Sequence, residues 1–325
     1  MRRPCIAALG IAILMTASRL EAQTATAVEA LWQVNIHVEK LFASPLGPTL
    51  NDIIYAKAPD GKVHVDAFVE AMGMDPRTAV REVVIFGDGF EPTNVRVVAN
   101  IGSTRGNIEG WLLAAPGYKS ETIDDATLLH SFLVERGPGA RLWCAIPWSK
   151  STNSHTLIAG FDRETTLALA RQAAEQGIAE FGGKLTGDTI LSVTINDLAR
   201  APIEIDENDP GSGLIKTLQS VSVTASNAND QQLVVTTDLT ADSPARAQQL
   251  QQFLTGMKAM VQLAIPEKNP EAKNLTKLLN HVNVEYTEGS KSLATHFAMD
   301  FAQIQEILKS KHRGHHAPAS GFEDR

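Results

Sequence analysis

Three histidines near the C-terminus, His312, His315 and His316, carry ring nitrogens that could hold Zn²⁺, Ni²⁺ or Cu²⁺. Structural zinc sites use four ligands fixed by folded neighbours. This segment offers three, among Gly, Ala, Pro and Ser, so the expected reading is a solvated tail. A second oxygen-rich group lies in the acidic loop 203–213. There Asp206, Asn208 and Gly211 match the first, third and sixth positions of a calcium loop. Pro210 and Thr217 then stand where the fifth and twelfth positions need ligands, which excludes that loop. A looser Ca²⁺ set of Glu204, Asp206 and Asp209 is left, against a solvated insertion. The stretch 211–217 ends in Lys-Thr but lacks the glycine directly before the lysine that a phosphate loop needs. Ser103 in 102–106 is wrongly flanked for a nucleophile elbow.

The other reactive side chains are scattered. His37, His64, His130, His155, His281 and His296 stand singly, with no i, i+4 ligand pair among them, and are expected on strand faces. Asp124-Asp125 reads as a turn. Cys144 sits in the apolar run Leu-Trp-Cys-Ala-Ile-Pro and is expected to be a buried, inert thiol. Trp143 and Trp148 flank it and could line a pocket, though core is their commoner place. No catalytic residue and no cofactor is therefore expected.

The elements that would position these residues repeat. Residues 34–46, Val-Asn-Ile-His-Val-Glu-Lys-Leu-Phe-Ala-Ser-Pro-Leu, match 191–203, Leu-Ser-Val-Thr-Ile-Asn-Asp-Leu-Ala-Arg-Ala-Pro-Ile, without a gap. Val34/Leu191, Ile36/Val193, Val38/Ile195 and Leu41/Leu198 pair as apolar residues, and Pro45/Pro202 as prolines. Repetition over so long a span implies one fold used in tandem. Beyond it, strand patterns at 82–86, 95–101, 127–134, 141–146 and 155–161 alternate with helix patterns at 104–114 and 163–174. The second half follows in the same order. Strands are expected at 190–195, 221–225, 233–239, 282–286 and 293–299. Ser243-Pro244 opens a helix with Ala247, Leu250, Leu254, Met257 and Val261 on one face. Short turns between strands predict antiparallel pairing. The expected fold class is α+β: two tandem, similar domains, each a mainly antiparallel sheet packed by helices on one face. The expected division is 23–183 for the first repeat, 184–310 for the second and 311–325 for a disordered His-containing tail.

Residues 1–22 read as a secretory signal peptide. Arg2 and Arg3 precede a short apolar stretch, and Leu20-Glu-Ala22 suits cleavage. Without Arg2, Arg3, Arg19 and Glu21 the chain loses three positive charges and one negative, moving its formal net charge from −8 to −10. An acidic chain is poorly suited to phosphate backbones, so nucleic acid is not expected as a partner. No later stretch is long and apolar enough for a spanning helix, so no transmembrane segment is expected after cleavage.

On residues 76–86 with the strand at Val95, and on 233–250, the chain resembles a group of secreted bacterial proteins in which a strand runs into a helix rich in Ala, Gln and Leu. That resemblance implies a duplicated α+β envelope protein and carries no active site across. The expectation is an exported, periplasmic or extracellular, non-enzymatic binding or interaction protein, its partner an envelope protein. A carrier of an apolar, lipid-like small molecule is the alternative, and a hydrolase without a recognisable motif comes third.

Overall fold

The fold was read from a computed structural model, which describes residues 30–57, 66, 69–70, 75–102, 105–123, 127–134, 140–149, 154–178, 181, 185, 187–202, 212–228, 231–264 and 281–305. The stretch expected to be a signal peptide, the histidine-containing C-terminal stretch, the 203–211 part of the acidic loop and His64 lie outside them.

The strands are β1 Trp32–Ile36, β2 Val80–Gly87, β3 Val95–Ile101, β4 Lys119–Thr122, β5 Leu128–Leu133, β6 Arg141–Ala145, β7 Trp148–Ser149, β8 Ser154–Gly160, β9 Thr189–Ile195, β10 Leu218–Asn227, β11 Gln232–Ala241, β12 Val282–Tyr286 and β13 Ser292–Asp300. The helices are α1 Val38–Ala43, α2 Gly47–Lys57, α3 Pro76–Ala79, α4 Arg105–Leu113, α5 Arg163–Gln176, α6 Ser212–Ile215 and α7 Pro244–Ala264. All the strands join one antiparallel sheet, in the order β12-β13-β11-β10-β9-β1-β2-β3-β8-β6-β5-β4, with β7 beside β8. The architecture is α+β, and the sheet is continuous across the two halves of the chain.

The seam lies between β1 and β9. Val34 stands opposite Val193, Asn35 opposite Ser192 and Ile36 opposite Leu191. These two strands carry the two similar stretches of sequence, and Asn35 and Ser192, matched in the ungapped alignment, are cross-strand partners. The rows on either side correspond. In the first half Val34, Ile85, Val97, Ala159 and Cys144 are successive partners across β1, β2, β3, β8 and β6. In the second half Leu191, Ala225, Val235, Phe297 and Val282 are successive partners across β9, β10, β11, β13 and β12. Val97, Cys144 and Ala159 stand at the same sequence spacing as Val235, Val282 and Phe297. The connection from first to second strand is longer in the first half, where it holds α1 to α3.

Because successive strand residues face opposite ways, register assigns two faces. The front carries Val34, Ile85, Val97, Ala99, Ala159 and Cys144; the back carries Val84, Val98, Ile158, Ala145 and Leu129. In the first half β2 reads Val-Val-Ile-Phe at 83–86 and is apolar on both sides, so both must be covered. Helix α5 packs Leu169, Ala170 and Ala173 on the back against Val84, Val98 and Ile158. Helix α4 packs Ile108 and Leu112 on the front against Ala99, Ile101 and Cys144. The expectation of helices on a single face is corrected here for the first half. In the second half α7 packs Ala247 and Leu250 on the front, against Leu293, Leu239 and Val284. The back there is polar: Thr194 bonds Ser222 at 3.3 Å, Thr236 bonds His296 at 3.2 Å and Thr240 pairs Ser292 at 3.2 Å.

Local signals fix the ends. Asp162, the N-cap of α5, accepts from the Thr165 N–H at 2.7 Å, and those bonds hold its carboxyl below the usual range. Gly87 must be glycine because a Cβ there would sit 2.9 Å from the Trp32 indole nitrogen. That indole donates to the Gly89 carbonyl at 2.8 Å and ties the start of β1 to the β2–β3 loop. At one edge, β4 is short and fully exposed, and Arg163 donates to Glu121 at 3.2 Å, holding it to the start of α5. Short charged edges of this kind resist further pairing.

Candidate functional site

The sequence-predicted ligands are not brought together within the described residues. His312, His315 and His316 lie outside them, as do Glu204, Asp206 and Asp209. Among the described residues no group of three or more His, Cys, Asp or Glu could hold a metal ion.

The histidines separate into different roles. His37, expected on a strand face, is the N-cap of α1: its Nδ1 accepts from the Lys40 N–H at 3.3 Å. The shift is physical, since β1 ends at Ile36 and the next residue must satisfy the helix's first amides. Burial, more than the nearby Lys40 charge, pushes its imidazole below the usual value. His155 on β8 meets the half-exposed Trp148 edge-on, with ring centroids 4.9 Å apart. Trp143 packs against the back core with Arg163 above its ring at 6.0 Å, so the two tryptophans do not line one pocket. His296 bonds Thr236 and lies 3.4 Å from Glu285 on the solvated back.

His130 is the exception, being wholly buried on β5. Its Nδ1 shares a 2.9 Å hydrogen bond with the Tyr118 hydroxyl, and its Nε2 lies 3.6 Å from Glu109 Oε1 on α4. Cys144 on β6 is its cross-strand partner. Tyr118, His130 and Glu109 thus tie α4 and the chain after it to the front of the sheet. The Cys144 thiol is 3% exposed and burial pushes its pKa up to about 12, far from the thiolate a nucleophile needs. Cys144 is expected to stay unmodified by a disulfide reagent at neutral pH in the folded protein and to react fully in denaturant. Rapid reaction in native buffer would show instead that the β5–β6 pair opens. The spacing of Glu109, Tyr118 and His130 carries no known motif, so this cluster had no sequence signal beyond the apolar context of each residue.

A second polar row crosses the back of the first half. Glu82, Asn100 and Thr156 are successive cross-strand partners one row beyond Val84, Val98 and Ile158. Burial raises the Glu82 carboxyl above its ordinary value, against the pull of Lys40.

Another uncommitted surface lies at the opposite edge of the sheet. There β12 has β13 as its neighbour on one side and no described strand on the other. Along α7, Ala247 and Leu250 are buried and Phe253 and Leu254 half-buried, while Met257 is 37% exposed and Met260 62%. Lys258 between them donates to the Val282 carbonyl, which places this part of α7 beside β12. The apolar stripe that seats the helix therefore continues past its support into solvent. The stripe was legible in sequence as one face of the helix; its outer end, at Met257, is exposed where β12 is the outermost described strand.

No protein-family model matches the chain, and no curated protein matches it in sequence. Among solved structures it is similar to crystal form IV of TP0453, over 86% of this chain and 92% of that one, at 10% identity and a TM-score of 0.44. It is similar to crystal form III of TP0453 over 86% and 94%, at 11% identity and a TM-score of 0.44. Likeness at that level fixes neither fold nor function. No helix among the described residues is long and apolar enough to cross a membrane.

Proposed function

We propose that the chain is an exported, non-enzymatic binding and interaction protein, periplasmic or extracellular, built from two copies of one α+β unit that share a sheet. The copies are residues 23–183 and 184–310. Support for duplication comes from the corresponding rows on either side of the seam and from the equal spacing of Val97, Cys144 and Ala159 with Val235, Val282 and Phe297. The reading as an interaction protein is carried by the stripe on α7, which leaves Met257 and Met260 exposed beside β12. Exposed apolar side chains grouped at a sheet edge mark interaction sites, and methionine adapts its shape to a partner.

The test is capture from envelope extracts by the tagged full chain and by the Met257→Glu/Met260→Glu double variant. The native chain is expected to enrich a partner that the folded variant loses. Identical captures, or capture of no protein at all, a second copy of this chain included, would sink the proposal.

The second reading is a carrier of an apolar ligand. Val193, Val223, Val235 and Phe297 form a contiguous front-face patch that is only half-buried among the described residues. Such a floor suits an acyl chain. Native mass spectrometry of freshly purified protein would reveal a bound lipid; a spectrum of bare protein alone ends that reading.

A further inference from the structure

We propose that the free edge of β12 pairs antiparallel with β12 of a second copy of this chain, about a two-fold axis at Val284, extending the sheet across a symmetric dimer. This rests on the interaction reading above and names the occupant of that surface.

Four observations converge. First, the rows make β12 the counterpart of β6, since Cys144 pairs with Ala159 as Val282 pairs with Phe297. Strand β6 has an outer neighbour, β5, paired from Leu129↔Ala145 to Leu133↔Arg141. At the same spacing ahead of β12 the sequence reads Pro266-Glu-Lys-Asn-Pro270, whose two prolines offer no N–H to a ladder. That stretch is poorly suited to the strand its counterpart possesses, and among the described residues β12 is the outermost strand, with peptide groups turned outward beyond the Val282 carbonyl that Lys258 meets.

Second, antiparallel pairing of like strands is already how the two halves join, through β1 and β9. Third, β12 reads Val-Asn-Val-Glu-Tyr and is complementary to its own reverse. Centred on Val284, Asn283, which donates to Glu285 of its own strand at 3.0 Å, faces Glu285 of the other copy, and Val282 faces Tyr286. An amide opposite a carboxylate and a β-branched residue opposite an aromatic are both favourable cross-strand pairs, and no like charges stand directly opposite, the two Glu285 being only diagonal neighbours. Fourth, α7 lies over β12 on the front, with Lys258 bonded to Val282 and Met257 and Met260 exposed nearby. A two-fold axis at the edge sets the two α7 helices on either side of the seam, where their methionines cover one another. Such an isologous contact closes on itself as a dimer rather than growing into a fibre.

The experiment is sedimentation velocity of the full chain over a concentration series, native and with exposed Asn283 substituted. Asn283→Glu sets a like charge opposite Glu285 and is expected to weaken the dimer about fivefold, because the pair occurs twice. Asn283→Lys sets an opposite charge there and is expected to tighten it by a similar factor. Met260→Glu is expected to weaken it as well, and circular dichroism checks that each variant folds. A monomer at every concentration overturns self-pairing, as does a dimer indifferent to all three changes. If the monomer still captures a partner through Met257 and Met260, self-pairing fails while the interaction reading stands.

Discussion

Val193→Pro is expected to lower stability by about 1–3 kcal/mol, the cost of leaving a ladder acceptor without its donor, with the clash of the ring added. Strand β9 lies between β1 and β10, with Val193 facing Val34 on one side and Val223 on the other. Whichever neighbour its N–H serves, the ladder loses a bond, and the proline ring clashes with the adjoining backbone. The loss falls on the seam that joins the two halves, so a single cooperative transition should split into two. Urea unfolding followed by circular dichroism and by tryptophan fluorescence would detect this, because all four tryptophans, Trp32 at the seam among them, lie in the first half. An unchanged midpoint would mean that the halves do not depend on the β1–β9 ladder.

Ile158→Ala is expected to cost about 2–5 kcal/mol, against about 0.5–1.5 kcal/mol for Ile158→Val. Ile158 is fully buried on the back, between Val98 on β3 and Ala145 on β6, in the core shared with Ala170 and Ala173 of α5. Close-packed neighbours on every side cannot collapse into the gap, so transfer and cavity terms add. Val235→Ala provides the contrast. It lies on the front of the second half and is only half-buried, so its loss should cost clearly less than Ile158→Ala. Thermal or urea midpoints of the three variants decide it. Equal losses for Ile158→Ala and Val235→Ala would show the second-half front to be as closed as the first-half core, leaving no open floor for a ligand.

The strands with strong alternation were legible before any coordinates. The pattern at 95–101 coincides with β3, and those at 141–146 and 155–161 fall within a residue of β6 and β8. Ser243-Pro244 marked the start of α7 because a proline at the first helical position loses nothing there. Strand β4 was missed, since Lys-Ser-Glu-Thr has no apolar alternation; it is a strand because β5 pairs with it and Arg163 grips Glu121. Helices on both faces of the first half were missed as well. The runs of Val, Ile and Phe in β2 signalled a strand buried on two sides, but the order of elements alone does not say which helix covers which side. The likeness between the halves fades in sequence after Pro202, where the connection to the second strand is shorter in the second half; register brings out the equal spacing of Val97, Cys144 and Ala159 with Val235, Val282 and Phe297. The tie among His130, Tyr118 and Glu109 had no spacing to reveal it, being set by the packing of α4 against β3 and β6.

The β1–β9 seam also bears on the order in which the molecule is assembled. A chain emerging N-terminus first makes β1 early, yet one of the two strands beside it, β9, begins only at Thr189. Until then β1 can pair with β2 but keeps its other flank bare. Contacts between residues so far apart in sequence slow folding and prolong the life of partly formed states. The bare flank of β1 is itself a template for the β9 of another chain, so crowded synthesis would favour strands exchanged between chains over correctly closed chains unless the two halves close quickly. The feature that unites the sheet in the finished protein is therefore its point of greatest exposure while it is being made.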